Sequence, residues 1–248
     1  MNPEELNETL PQGRARTPRR PSRRGIETRQ TLVRTAERLF AERGVYGVPL
    51  REITRAAAQH NRSATQYHFG SRDDLIEAVL ERRMSTVNER RRAMLSDVDL
   101  SGRSRDLRAL VEVAVLPAVH TLEDQEHGWF FRFAAQLATV ALAPGSDPWR
   151  ERPYATVLRE LVSRIDALLA ALDERVRRER IRISYVILTT ALADYEALLD
   201  QGQNIDLAFV ATSLVDTITA VLLAPDNASA LVTSHDTAST ANNNTTTI

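Results

Sequence analysis

The sequence predicts an all-α chain, and three observations carry that reading. Apolar side chains recur at three- and four-residue intervals in segment after segment, each bounded by Gly, Pro, Asp or Asn. No stretch alternates apolar and polar residues for long, so no sheet is expected. Between Pro49 and Leu75 the pattern changes, because a short polar helix follows an apolar-striped one.

Residues 1–26 hold Pro, Gly, Ser and charge without apolar periodicity, and read as a disordered arm. Arg14, Arg16, Arg19, Arg20, Arg23 and Arg24 make the arm basic, which suits either a solvated tail or contact with phosphates and a minor groove. The first helix is expected from about Thr28 to Arg43. Leu32, Ala36, Leu39 and Phe40 share its apolar face, and Gly44 suits a left-handed stop. Leu50, Ile53 and Ala57 mark the second helix, with Pro49 fitting a first helical position.

A polar break at Gln59, His60 and Asn61 leads into a compact helix read as Asn61 to Tyr67. Arg62, Ser63, Thr65, Gln66, Tyr67 and His68 give it too little apolar surface to serve a core. A short helix of hydroxyl, amide and aromatic groups, braced by an apolar one, is what a helix-turn-helix needs to enter a DNA major groove. Phe40 and Phe69 are expected in the small core behind it.

Ser71 reads as the N-cap of the next helix, with Asp74 three residues on as in a capping box. This helix continues through Leu75, Val79, Arg83, Val87 and Arg91 to about Ser96, and Asp97 to Asp106 is expected to be a loop. Helical patterns follow at about 106–122, 126–143, 148–172, 177–201 and 205–223. From Ala224 the chain turns to Asn, Thr, Ser and Ala, a low-complexity tail read as disordered. The expected organisation is a basic arm over 1–26, a three-helix helix-turn-helix head over 27–72, a helical bundle over 73–223 and a tail over 224–248.

The net charge of −1 conceals an asymmetry. Residues 1–96 carry 19 Arg against 12 carboxylates, and residues 97–248 carry 13 against 21, which places nucleic-acid affinity at one end only. The absence of cysteine excludes disulfides, thiolate zinc sites and cysteine nucleophiles. With no secretory signal and no apolar run long enough for a membrane span, a cytoplasmic protein away from membranes is expected. The His120–His127 segment matches no common zinc spacing, and no phosphate-binding Gly-rich loop, nucleophile elbow or Glu-x-x-His pair is present. Neither an enzyme nor a cofactor is expected.

Leu39 and Phe40, Gly44, the group Arg51, Glu52, Ile53, Ala56 and Ala57, and the YHFGSRDDL run from Tyr67 to Leu75 form one pattern. From about Thr28 to Leu80 it resembles the DNA-binding domain of the TetR family of bacterial transcriptional repressors. The sequence departs from the family at Gln59, where Gly is usual and where positive φ is expected, at His60, and at Val48 in place of a capping hydroxyl.

The resemblance implies a homodimer that binds a palindromic double-stranded DNA operator and releases it on taking up a small-molecule effector. It also implies a phosphate-contacting Tyr67 and a phosphate-binding Arg72. With these, the expected DNA-contact set is Arg51, Asn61, Arg62, Ser63, Thr65, Gln66, Tyr67, His68 and Arg72. Arg and Gln pair with guanine and adenine respectively in a major groove. An activator of the same fold, or a regulator without a ligand, is the alternative, and a pure protein-interaction bundle is a third class.

For the body, aromatic and polar residues on otherwise apolar helices suggest a largely apolar ligand with one or two hydrogen-bonding groups. Trp129, Phe133, Gln136, Trp149, Tyr154, Tyr185 and Thr189 are the expected contacts. Ile183, Val186, Ile187, Thr190, Leu214, Val215, Ile218 and Leu222, on the last two helices, exceed one buried face and are assigned to a four-helix dimer interface.

Overall fold

The computed structural model describes residues 22–59, 63–123, 128–141 and 152–226. All regular structure among them is helical. The basic arm up to residue 21, Asn61, Arg62, Trp149, His127 and the tail from residue 227 lie outside the described residues.

Three helices build the head. The first, α1 (Arg23–Arg43), begins earlier than its apolar pattern because the Ser22 side chain accepts the Gly25 N–H. Its face of Leu32, Val33, Ala36, Leu39 and Phe40 is buried, and Gly44 ends it at φ 81° with its N–H on the Phe40 carbonyl. Next come α2 (Leu50–Ala56) and α3 (Ala64–Phe69). Ile53, Ala57, Ala64 and Phe69 close the head core against α1, as expected. The turn between them differs from the expectation. Ala58, not Gln59, takes positive φ at 52°, while Gln59 donates its backbone N–H to the Thr54 carbonyl. The polar helix also begins later, because Ser63 stands at its N-cap position.

The long helix α4 (Arg72–Leu100) leads from head to body. Ser71 caps it as expected, accepting the Asp74 N–H at 3.1 Å. It runs past Ser96 into the expected loop, since nothing between Asp97 and Leu100 breaks a helix and the turn waits for Gly102 at φ 72°. The body adds α5 (Leu107–Val119), α6 (Phe130–Ala141), α7 (Thr156–Leu168), α8 (Glu174–Asp200) and α9 (Leu207–Leu223). Asp106, Asp173 and Asp206 each turn a carboxylate onto a first-turn N–H of α5, α8 and α9. Helix α6 packs on both α8 and α1, and α5 packs on α4 and α9. One apolar core therefore runs from Leu32 in the head to Leu222 in the body. Among the described residues, no helix is long and apolar enough to cross a membrane.

Leu214, Val215, Ile218 and Leu222 turn inward against the body of their own chain. The expectation that they form the dimer surface is corrected: α9 uses that stripe on α5 and α8. Ile183, Val186 and Ile187 stay half-buried on α8, and Phe209 stands exposed on α9.

Candidate nucleic-acid interface and the body behind it

Helix α3 has two faces. Ala64, Thr65 and Phe69 point into the head, and Gln66 and Tyr67 point away from it. Tyr67 is 82% exposed and meets His68 edge-on at 5.2 Å between ring centres. Gln66 donates to the Gly70 carbonyl at the end of the helix, and Ser63 is exposed at its start. His68 is half-buried; burial and, behind it, the charge of Arg29 hold its imidazole below the usual value, so it is neutral at pH 7. Arg51 is exposed on the first turn of α2. Tyr46, 59% exposed between α1 and α2, escaped the sequence reading because it belongs to no periodic stripe.

Two of the expected DNA contacts are engaged elsewhere. Thr65 is 2% exposed and shares a 2.6 Å hydrogen bond with Thr54 of α2. It braces the angle between α2 and α3 and has no surface to offer a base. The Arg72 guanidinium donates from one nitrogen to the carbonyls of Val45 and Val48, at 2.6 and 2.8 Å, and lies 5.9 Å above the Phe40 ring. It thereby holds the loop that feeds α2 through Nη1, while the side chain stays half-buried.

The junction between head and body is built from α1, α4 and α6. Glu37 of α1 is buried and accepts from Arg82 and Arg83 of α4 at 3.1 and 3.0 Å. Gly128 packs against this pair: a Cβ there would lie 2.0 Å from Arg83 Nη2, so a larger residue would have to displace the Arg83 guanidinium. Phe40 of α1 stacks on Phe133 of α6, with ring centres 6.1 Å apart. Helix α6 is pinned in turn from α8, where the buried Glu196 accepts the N–H groups of Phe131 and Arg132 at 3.2 and 3.1 Å. Burial pushes the Glu196 carboxyl above the usual range, against the pull of these donors and of the Arg132 side chain.

Of the residues expected to line one ligand pocket, Trp149 lies outside the described residues, Tyr154 and Tyr185 lie beside Asn88 and Arg91 of α4, and the others do not join them. Phe133 serves the junction, and Gln136 is exposed on α6, near Gly44. Trp129 lies 3.9 Å from the Arg132 guanidinium, beside an open groove of about 390 Å³ that Arg34, Arg38 and Arg82 also line. Thr189 is buried, but its hydroxyl donates to the Tyr185 carbonyl of its own helix at 2.9 Å. Helical spacing does not set direction, and Trp129, Phe133 and Gln136 on α6 and its approach face other neighbours than Tyr154 and Tyr185 do.

What the body does enclose is a polar pair on α4. Arg91 is 4% exposed, and Asn88, one turn earlier, is 2% exposed. Arg91 Nη2 donates to the Ala114 carbonyl of α5 at 3.3 Å, and Asn88 Nδ2 donates to the Tyr154 carbonyl at 2.6 Å. Burial pulls the Arg91 pKa down to about 10, so it remains a cation at neutral pH. The spacing Leu75, Val79, Arg83, Val87, Arg91, Leu95 puts Arg91 on the buried stripe of α4, a signal legible in the sequence.

No curated protein matches the chain. Among solved structures it is similar to NalD of Pseudomonas aeruginosa, the secondary repressor of the MexAB-OprM multidrug efflux pump, at 24% identity over 79% of this chain and 97% of that one, with a TM-score of 0.40. It is also similar to a TetR-family transcriptional regulator from Pectobacterium atrosepticum, at 22% identity over 81% and 95% of the two chains, with a TM-score of 0.38. A gamma-butyrolactone receptor, an ArpA-like protein, aligns at 23% identity over 69% of this chain and 99% of that one, with a TM-score of 0.36. Residues 32–79, which span α1 from Leu32 through α2 and α3 to Val79 of α4, match the profile of bacterial regulatory proteins of the tetR family. The head of this chain is a DNA-binding helix-turn-helix domain of the TetR family.

Proposed function

We propose that the chain is a homodimeric transcriptional repressor that binds a roughly palindromic operator and leaves it when a small molecule enters the body. The observation that carries this reading is the outer face of α3, where Ser63, Gln66 and Tyr67 stand exposed on a helix whose other face is locked into the head. Hydroxyl and amide groups so presented suit base edges and phosphates. Arg51, Asn61 and Arg62 complete the proposed contact set, with His68 at its margin. The exposed Phe209 and the half-buried Ile183, Val186 and Ile187 supply apolar surface for a second copy. A two-fold dimer then offers two copies of α3 to half-sites about one or more helical turns, ~34 Å each, apart.

The junction supplies the coupling. Any ligand that shifts α4 or α6 acts on α1 through Glu37 with Arg82 and Arg83, and through the Phe40–Phe133 stack. Ligand and DNA then favour different arrangements of the heads, and each weakens the other's binding by the same factor. The test is a gel-shift titration of the full chain against the duplex upstream of its own gene, at two salt concentrations. A salt-dependent retarded complex of two chains per duplex is expected. Binding no tighter than to unrelated duplex of equal length contradicts the reading.

A further inference from the structure

We infer that the body holds a binding site for an organic acid, organised by Arg91 and Asn88 of α4. This deepens the proposed function by naming the class of effector, and it rests on that reading for the claim that the bound acid acts on DNA binding. The Arg91 guanidinium reaches one carbonyl through Nη2, while its Nε and Nη1 lie buried with no acceptor. Among the described residues no carboxylate pairs with it. A buried cation in that condition weakens the fold relative to an apolar residue of like size, which packing alone does not explain.

Asn88 is in the mirror-image condition. Its Nδ2 is committed to the Tyr154 carbonyl, which fixes the amide orientation and leaves Oδ1 buried without a donor. The two residues stand three apart on one helix and so share a face. Together they present an anion-binding fork beside a hydrogen-bond acceptor. The Ala114 carbonyl on the apolar α5 lies on one side, and Tyr185 of α8 is close enough to the guanidinium to interact with its charge. The complementary molecule carries a carboxylate for the guanidinium, a hydroxyl or amide N–H within a few bonds of it for Asn88, and an apolar remainder.

Thermal melts of the full-length protein test this with two acids and their neutral twins: salicylate against salicylamide, and 3-hydroxydecanoate against 1,3-decanediol. At saturation at least one acid is expected to raise the melting temperature by about 5–10 °C while its twin does not. Arg91→Met keeps the side-chain volume, removes the charge, and is expected to lose the shift. Arg91→Lys retains the charge without the fork, and its affinity for the acid is expected to fall about tenfold or more. Should Arg91→Met melt too low to read, Arg91→Lys decides. Equal shifts from acid and twin, no shift from either acid, or an undiminished response in the Arg91 variants overturns the site. The melts need no DNA. Acids that bind through Arg91 yet leave operator binding unchanged would uphold the site and fail the repressor reading, and release of DNA by the neutral twins alone would do the reverse.

Discussion

The outward polar side chains of α3 stand in solvent, with Tyr67 largely exposed, whereas Asn88 and Arg91 of α4 are enclosed, with Ala114 of α5, Tyr154 and Tyr185 of α8 beside them. Groups in water keep their hydrogen bonds at no cost to folding, so an exposed polar face is informative only through its shape and its backing. Enclosed groups that lack partners reduce stability, so each one asks for an explanation. The evidence for function therefore differs between the two regions. At the head it is a rigidly presented surface, and in the body it is an unmet demand for charge and hydrogen bonds.

Phe133 belongs to neither set, because it fills the seam between them. Phe133→Ala is expected to cost about 3–5 kcal/mol of stability, read by urea denaturation of the full chain. A loss well under 1 kcal/mol would put Phe133 in an adaptable pocket and dissolve the contrast between junction and ligand site. Within α3 the same comparison is sharper. Thr65→Ala breaks the buried bond to Thr54 and is expected to cost about 1–2 kcal/mol, while Gln66→Ala on the outer face stays within about 0.5 kcal/mol of the wild type. Equal costs would show that the two faces are misassigned. The smallest effect concerns the turn. Ala58 holds positive φ at 52°, so Ala58→Gly is expected to stabilise by up to about 1 kcal/mol in thermal melts. A destabilised glycine variant would place the left-handed residue elsewhere in the turn.

The all-helical order and the head core were legible because Leu32, Ala36 and Phe40 repeat at helical spacing and Ile53 and Phe69 are the bulky apolar residues of short, otherwise polar segments. Which side of a six-residue helix faces inward was not, since Thr65 and Gln66 look equally polar in one dimension. The partners of Arg72 sit 24 and 27 residues upstream, so its inward duty depends on the tertiary fold. Aromatic side chains in the body misled for a related reason: Phe133 has the spacing of a core residue, and spacing does not say which neighbour it packs on. Arg91 was readable from its place in an apolar stripe, but the lack of a carboxylate beside it appears only in three dimensions.

In the proposed repressor the outer face of α3 touches duplex DNA. Fluorescence anisotropy of the labelled upstream duplex, titrated with wild-type and Tyr67→Phe protein, tests it most directly. Binding about tenfold weaker is expected for Tyr67→Phe, corresponding to one lost hydrogen bond of about 1.4 kcal/mol, at an unchanged melting temperature. Equal affinity for both proteins would contradict it.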